Sequence, residues 1–265
     1  MACLPMFPSF KSSEPTVPLV SEPVAGEFPK IEGAQIAAAT YGKRVAGDFY
    51  DFVRVSPERI LFGLLDVAGR REDNQPVLAA AQKIFRTLGA ELFSRADMNE
   101  SEAMTELCLC LNRGIMDAAA GVRSCPAFIG CYQEKFGTLC YSNAGHTPGL
   151  LLDSTGIVEL GSTGLPLGLF SHATSEAPIA GMARGAVLLL VSQGVVEGEY
   201  DESAGEDAEF GLNRVKDQLK KNQRQAERSL GPQELCASIL NAAVECACGP
   251  LVHQDMTALA LVRPA

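Results

Sequence analysis

A chain of 265 residues with 47% hydrophobic and 20% charged side chains has apolar material for a sizeable core, arranged as one large domain or two small ones. Its formal net charge of −10, with no long block of Lys and Arg, argues against a nucleic-acid partner and against an anionic membrane surface. No segment reaches about 18 uninterrupted apolar residues, and the short apolar start, broken by Pro5 and Pro8, makes a poor signal peptide, so the cytoplasm is the expected location.

Residues 1–28 carry five prolines among Ser and Glu and are read as an extended tail or linker, with the folded domain spanning 29–265. From there the apolar pattern predicts strands over 34–40, 48–55 and 59–67, the last a buried run ending at Asp66 and the turn formers Ala68-Gly69. Helical spacing follows over 75–93 and over 102–119, where Leu107, Leu111 and Ile115 share a side. The period then changes. Short strands are expected at 127–133, 138–142, 150–153 and 157–160, and a strongly apolar one at 186–191. Helices over 211–225 and 232–247 precede a closing strand at 257–262. Strands and helices come in runs rather than in strict alternation, which favours an α+β layered domain over a doubly wound parallel sheet.

Of the nine cysteines, Cys108, Cys110, Cys246 and Cys248 lie in helical patterns and Cys125, Cys131 and Cys140 in strand-like apolar runs; without a C-x-x-C pair, the cysteines are read as reduced core residues rather than disulfides or zinc ligands.

Two aspartates, Asp48 and Asp66, each stand at the edge of an apolar strand close to glycine. A hard divalent cation takes oxygen ligands, and Asp is the shortest anionic supplier. A two-metal hydrolase needs several such carboxylates converging from different strands. Taken singly, an Asp beside Gly is more often a turn residue.

Five ordered blocks change that reading: Gly47-Asp48-Phe49-Tyr50-Asp51, Asp66-Val67-Ala68-Gly69, Asn143-Ala144-Gly145-His146, Ser192-Gln193-Gly194-Val195 and Gln254-Asp255-Met256-Thr257. Together with the loop Gly164-Leu165-Pro166-Leu167-Gly168-Leu169 and with Phe210-Gly211, they resemble the metal-dependent PPM protein phosphatases (protein phosphatase 2C-like), in the branch typified by the sporulation stage II protein E phosphatase domain. The resemblance covers roughly residues 30–263. It implies a four-layer α-β-β-α sandwich, in which two central, mainly antiparallel sheets are flanked by helices. It also implies a Mg or Mn site of two ions, held by Asp48, Asp66 and the backbone carbonyl of Val67. The nucleophile would be metal-activated water, with no covalent enzyme intermediate. The implied partner is a phosphoserine or phosphothreonine protein, such as an anti-anti-sigma regulator of a partner-switching pathway.

The chain departs from the family at two ligand positions. Gln193 and Gln254 stand where the family has aspartate. A Gln carbonyl can ligate a hard cation but brings no charge, and loss of even an outer partner costs about 10–100-fold in metal affinity. Alternation along a strand turns Asp255 away from the place of Gln254. Glu72, Asp73 and Glu197 are candidate replacements; the first two are expected in a loop after Gly69, where Arg70 and Arg71 are candidate phosphate-binding residues. His146 invites a role in proton transfer, but a histidine that shapes its turn is the preferred reading. Two functions therefore compete: a phosphatase with weakened metal binding, and a silent pseudophosphatase that binds a phosphoprotein.

Overall fold

The computed structural model describes residues 29–42, 47–67, 69–95, 97–119, 123–172, 174–197, 211–225, 231–246 and 255–265. In chain order the elements are β1 (Gln35–Tyr41), β2 (Phe49–Ser56), β3 (Arg59–Leu65), α1 (Arg71–Ser94), α2 (Glu100–Ala118), β4 (Ala127–Gln133), β5 (Thr138–Ala144), β6 (Gly149–Asp153), β7 (Gly156–Leu160), β8 (Ile179–Gly181), β9 (Val187–Val191), α3 (Gln193–Val196), α4 (Leu212–Gln225), α5 (Pro232–Cys246) and β10 (Met256–Val262). The proposed tail, residues 1–28, lies outside the described residues.

Alternation along single strands builds the layers. In β3, Leu61 and Leu65 face one core while Phe62 and Leu64 face another; in β9, Leu188 and Leu190 face a different side from Leu189. Strands that are apolar on both faces must be covered on both, and two five-stranded sheets achieve this together. One sheet has the order β1-β10-β9-β6-β7 and the other β2-β3-β4-β5-β8, with every ladder antiparallel. Phe62, Phe128, Leu190 and Leu259 fill the space between the sheets. Leu78, Phe85, Met104 and Leu107 of α1 and α2 cover the outer face of the second sheet, and Val215, Leu219 and Ile239 of α4 and α5 cover that of the first. The result is the four-layer α-β-β-α sandwich. Burying each such Leu or Phe contributes roughly 1.5–3 kcal/mol, so the sheet–sheet and sheet–helix cores hold the frame.

Helix α2 starts at Asn99, whose side chain accepts from the backbone N–H groups of Ser101 and Glu102 at 3.0 and 3.3 Å. Helix α1 begins a turn earlier than its apolar spacing suggests. The structure adds a turn upstream of Gln75 whose first residues include Glu72 and Asp73. These two acids are therefore exposed residues of the first turn of α1, not of a loop, where they offset the positive end of the helix.

All but one of the described free cysteines behave as core residues, Cys110 being half-buried. Cys108, Cys125, Cys131, Cys140 and Cys236 are buried free thiols, and burial pushes each above the ordinary thiol range. Among the described residues no helix is long and apolar enough to cross a membrane.

Candidate functional site

Sheet register gathers the sequence blocks. Phe49 pairs with Leu65, so the start of β2 adjoins the end of β3 and Asp48 lies beside Asp66. Ala258 pairs with Val191, so the start of β10 adjoins the end of β9 and brings Thr257 to Ser192. Ser192 N–H donates to the Thr257 carbonyl at 2.9 Å, and Thr257 N–H donates to Ser192 Oγ at 3.0 Å. Hydrogen bonds then join the sheets at this edge. Thr257 Oγ1 donates to Asp48 Oδ2 at 2.7 Å, and the backbone N–H of Gln193 donates to Asp66 Oδ2 at 3.1 Å.

The Val67 carbonyl lies at the same place. It accepts from Asn74 Nδ2 at 3.2 Å. Gly47 is needed here because a Cβ on it would stand 2.2 Å from that carbonyl oxygen and 2.9 Å from Asn74 Nδ2. The glycine of the first block thus lets the chain before Asp48 lie directly against the carbonyl after Asp66.

Both carboxyls hold their protons more tightly than usual. Burial pushes Asp48 up to about 7, the charge of Asp66 adds to this, and Asp255 adds less; hydrogen bonds from Ser192 and Thr257 pull the other way. Asp66 is raised chiefly by burial, against hydrogen bonds from Gln193 N–H and from the Asp48 carboxyl, and the charge of Glu197 raises it further. Asp255 stands just before β10. It is buried, and its charge reaches Asp48.

The side chain of Gln193 is engaged elsewhere. Its amide donates to Glu197 Oε2 at 2.5 Å, one turn along the short α3, and both side chains are exposed. Gln254 lies outside the described residues. Arg70 is exposed at the start of α1 and makes no side-chain capping bond; of Arg71 only the backbone is described. A different arginine stands near the loop after Asp66: Nη1 of Arg123 is 3.0 Å from where a Cβ on Gly69 would be. No motif marked Arg123, and Asn74 carried no signal beyond its place five residues after Gly69.

The Asn143-Ala144-Gly145-His146 block braces the site rather than furnishing its chemistry. Asn143 is fully buried; its amide donates to the carbonyls of Leu160 and Thr147 at 3.1 and 3.3 Å, and its Oδ1 accepts from His146 N–H at 2.8 Å. Gly145 turns at φ 68°, and a Cβ there would meet Pro166 at 2.4 Å, which locks this turn to the Gly164–Leu169 loop. Thr147 Oγ1 donates to the Val191 carbonyl, the last residue of β9 before Ser192-Gln193. His146 is buried with Nδ1 3.1 Å from the Thr147 carbonyl, and burial pushes it down to about 4, so it is a neutral turn histidine at ordinary pH.

Asp51, in the first block, has a separate task. Its buried carboxylate accepts from Arg86 Nε at 2.6 Å, Arg86 Nη2 at 2.9 Å and Gln82 Nε2 at 3.0 Å, which ties β2 to α1.

The donor chemistry fits a divalent cation in part. Asp48 is buried and Asp66 half-buried, their carboxyls are in mutual contact, and a hard cation takes oxygen ligands of this kind. Among the described residues, however, no group of three or more acidic, His or Cys side chains is arranged to hold a metal ion. The fit is that of a two-carboxylate grip.

Solved structures share this architecture. The RsbU and RsbW domains of a Mycobacterium tuberculosis protein match with a TM-score of 0.70 and 20% identity, over 88% of this chain and 60% of that one. The PP2C phosphatase domain of the Bacillus subtilis cell fate determinant SpoIIE, with a fragment of its regulatory domain, matches with a TM-score of 0.64 and 15% identity, over 87% and 62%. RsbX, solved in complex with magnesium, matches with a TM-score of 0.61 and 13% identity, over 89% and 98%. At such identities the likeness is one of fold, and the chain spans only about three-fifths of the first two structures. Comparison with curated proteins gives no match. The model of the family described as Stage II sporulation protein E (SpoIIE) matches residues 56–264, most of the chain, and the protein belongs to that PP2C-like phosphatase family.

Proposed function

We propose that this chain is a PPM-type serine/threonine phosphatase domain whose grip on Mg or Mn is weakened, and that it acts on a phosphoserine or phosphothreonine of a regulatory protein. The observation that carries this reading is the meeting of Asp48 and Asp66 at one edge of both sheets, braced by Thr257 and by Gln193 N–H. Asp48, Asp66 and the Val67 carbonyl would hold the cation. When bound, a divalent ion supplies positive charge that lowers the pKa of water and offsets the charge of the phosphoryl oxygens. The chain's own contribution is to keep two carboxylates desolvated and fixed. The solved RsbX–magnesium complex and the RsbU and RsbW domains among its fold neighbours support a cation and a partner-switching protein.

A second reading, a silent phosphoprotein-binding module, is favoured by one feature: the amide of Gln193 is spent on Glu197, where the family places an aspartate. Hydrolysis of an aryl phosphate and of a phosphoserine peptide, with and without Mn, separates the two. The expected result is weak Mn-dependent turnover, lost in Asp66→Ala and raised in the double variant Gln193→Asp plus Gln254→Asp. Turnover absent from the parent and from the double variant would leave the binding-module reading standing.

A further inference from the structure

We infer that Asn112 of α2 is a positioning residue for the cation site, holding Asp66 in place through the Gly164–Leu169 loop. This rests on the reading of Asp48 and Asp66 as cation-holding residues. Asn112 is fully buried in the interior of a helix, where a polar side chain must find partners. Its strong partners lie outside its own helix. Its Oδ1 accepts from Gly168 N–H at 2.7 Å and its Nδ2 donates to the Phe170 carbonyl at 2.9 Å, so one amide grips the loop at two points.

The grip passes to Asp66 in two further steps, each between neighbouring residues. Leu167, next to Gly168, exchanges backbone hydrogen bonds with Cys125: Cys125 N–H donates to the Leu167 carbonyl at 2.9 Å, and Leu167 N–H donates to the Cys125 carbonyl at 3.1 Å. The carbonyl of Pro126, next to Cys125, accepts from Asp66 N–H at 2.8 Å. The loop is packed without slack. Gly168 turns at φ 80°, and a Cβ on it would stand 2.3 Å from the Arg123 carbonyl oxygen. From the other side Pro166 packs against Gly145, in the turn whose Thr147 holds the last carbonyl of β9. A ligand must be held to within about 0.5 Å to serve a cation well. An asparagine on α2 therefore sets where the Asp66 carboxylate can stand.

Calorimetric titration of Mn into the parent, Asp66→Ala, Asn112→Ala and Asn222→Ala tests this. Asn222 is the matched control: it too is buried in a helix and bonded to a neighbour, donating to Ser238 Oγ at 3.0 Å, but in the α4–α5 layer. Its loss costs stability without reaching the loop. The expected result, at a temperature where circular dichroism shows each protein folded, is measurable binding by the parent and none by Asp66→Ala. Binding should be about tenfold weaker in Asn112→Ala and within about twofold of the parent in Asn222→Ala. Asn112→Ala binding Mn within about twofold of the parent, or no more weakly than Asn222→Ala, while Asp66→Ala abolishes binding, would overturn this inference alone. A parent that binds no Mn would overturn it together with the cation reading. Hydrogen exchange on the parent covers the case of a variant that does not fold, because coupling is reciprocal. Saturating Mn should slow exchange of the Leu167 and Gly168 amides and leave unchanged that of Phe136, whose N–H donates to Gln133 Oε1 at the far end of β4. No slowing at Gly168, or equal slowing at Phe136, would overturn the inference.

Discussion

The hydroxyl of Thr257 donates to Asp48 Oδ2 at 2.7 Å across 209 positions of sequence, and it does so from the other sheet. This bond makes the edge of the sandwich a site: it fixes a buried carboxylate of one sheet with a residue from the last strand of its neighbour. The strand pairings supply the positions, and the hydroxyl supplies the link.

Thr257→Val keeps the size and removes that donor. The buried Asp48 oxygen then loses a hydrogen bond, at a cost of about 1–3 kcal/mol in unfolding free energy. Mn affinity should fall about tenfold as the carboxylate loses its brace. Urea denaturation and Mn titration of the same variant check both.

Asp48 predicts a specific pH dependence for the metal-free protein. Its carboxyl holds a proton up to about 7 when folded, against 3.8 for the ordinary group, so the folded state binds more protons between those values. The stability it contributes is fully present below about pH 4 and is lost as pH rises towards 7. Asp48→Asn removes this slope and should raise the melting temperature of metal-free protein at pH 7.5 and above, while abolishing stabilisation by Mn. Thermal unfolding with chelator and with Mn, across pH, gives the answer.

His146 predicts the opposite slope. Burial depresses it from 6.5 to about 4, so the unfolded chain binds the extra proton. Its share of stability is present above about pH 6.5 and is lost as pH falls towards 4, by about 3 kcal/mol in all. In an Asp48→Asn background, where only Asp66 still titrates in the opposite sense, denaturant titrations between pH 7 and 4 with and without His146→Leu should differ by this loss.

Arg86→Ala should destabilise without touching the cation site. It strips the two guanidinium bonds from the buried Asp51 carboxylate. Arg86 is itself partly exposed, so the expected cost is about 2 kcal/mol. Mn affinity at a temperature where the variant is folded should match the parent. A large loss would mean that Asp51 serves the site and not the joint between β2 and α1.

Much of this frame is legible in the sequence because long apolar strands state their own period. β4 runs over the residues its pattern predicts, and β1, β3 and β10 differ from expectation by a residue or two at their ends. The misses have physical causes. β8 has three residues, none of them deeply buried, so no alternation marks it, and α3 is a single turn. The blocks around Asp48 and Asp66 announce the site through glycine and acid together. Asn74, Ser192 and Thr257 could not be assigned their bonds, because a polar residue reveals its partner only when the sheets meet.

The central claim is that Asp48 and Asp66 together hold a divalent cation. Calorimetric titration of Mn into the parent and into Asp66→Ala at pH 7.5 tests it most directly. The expected result is saturable binding by the parent that disappears in the variant; indistinguishable heats from the two proteins would contradict a shared grip by these two residues.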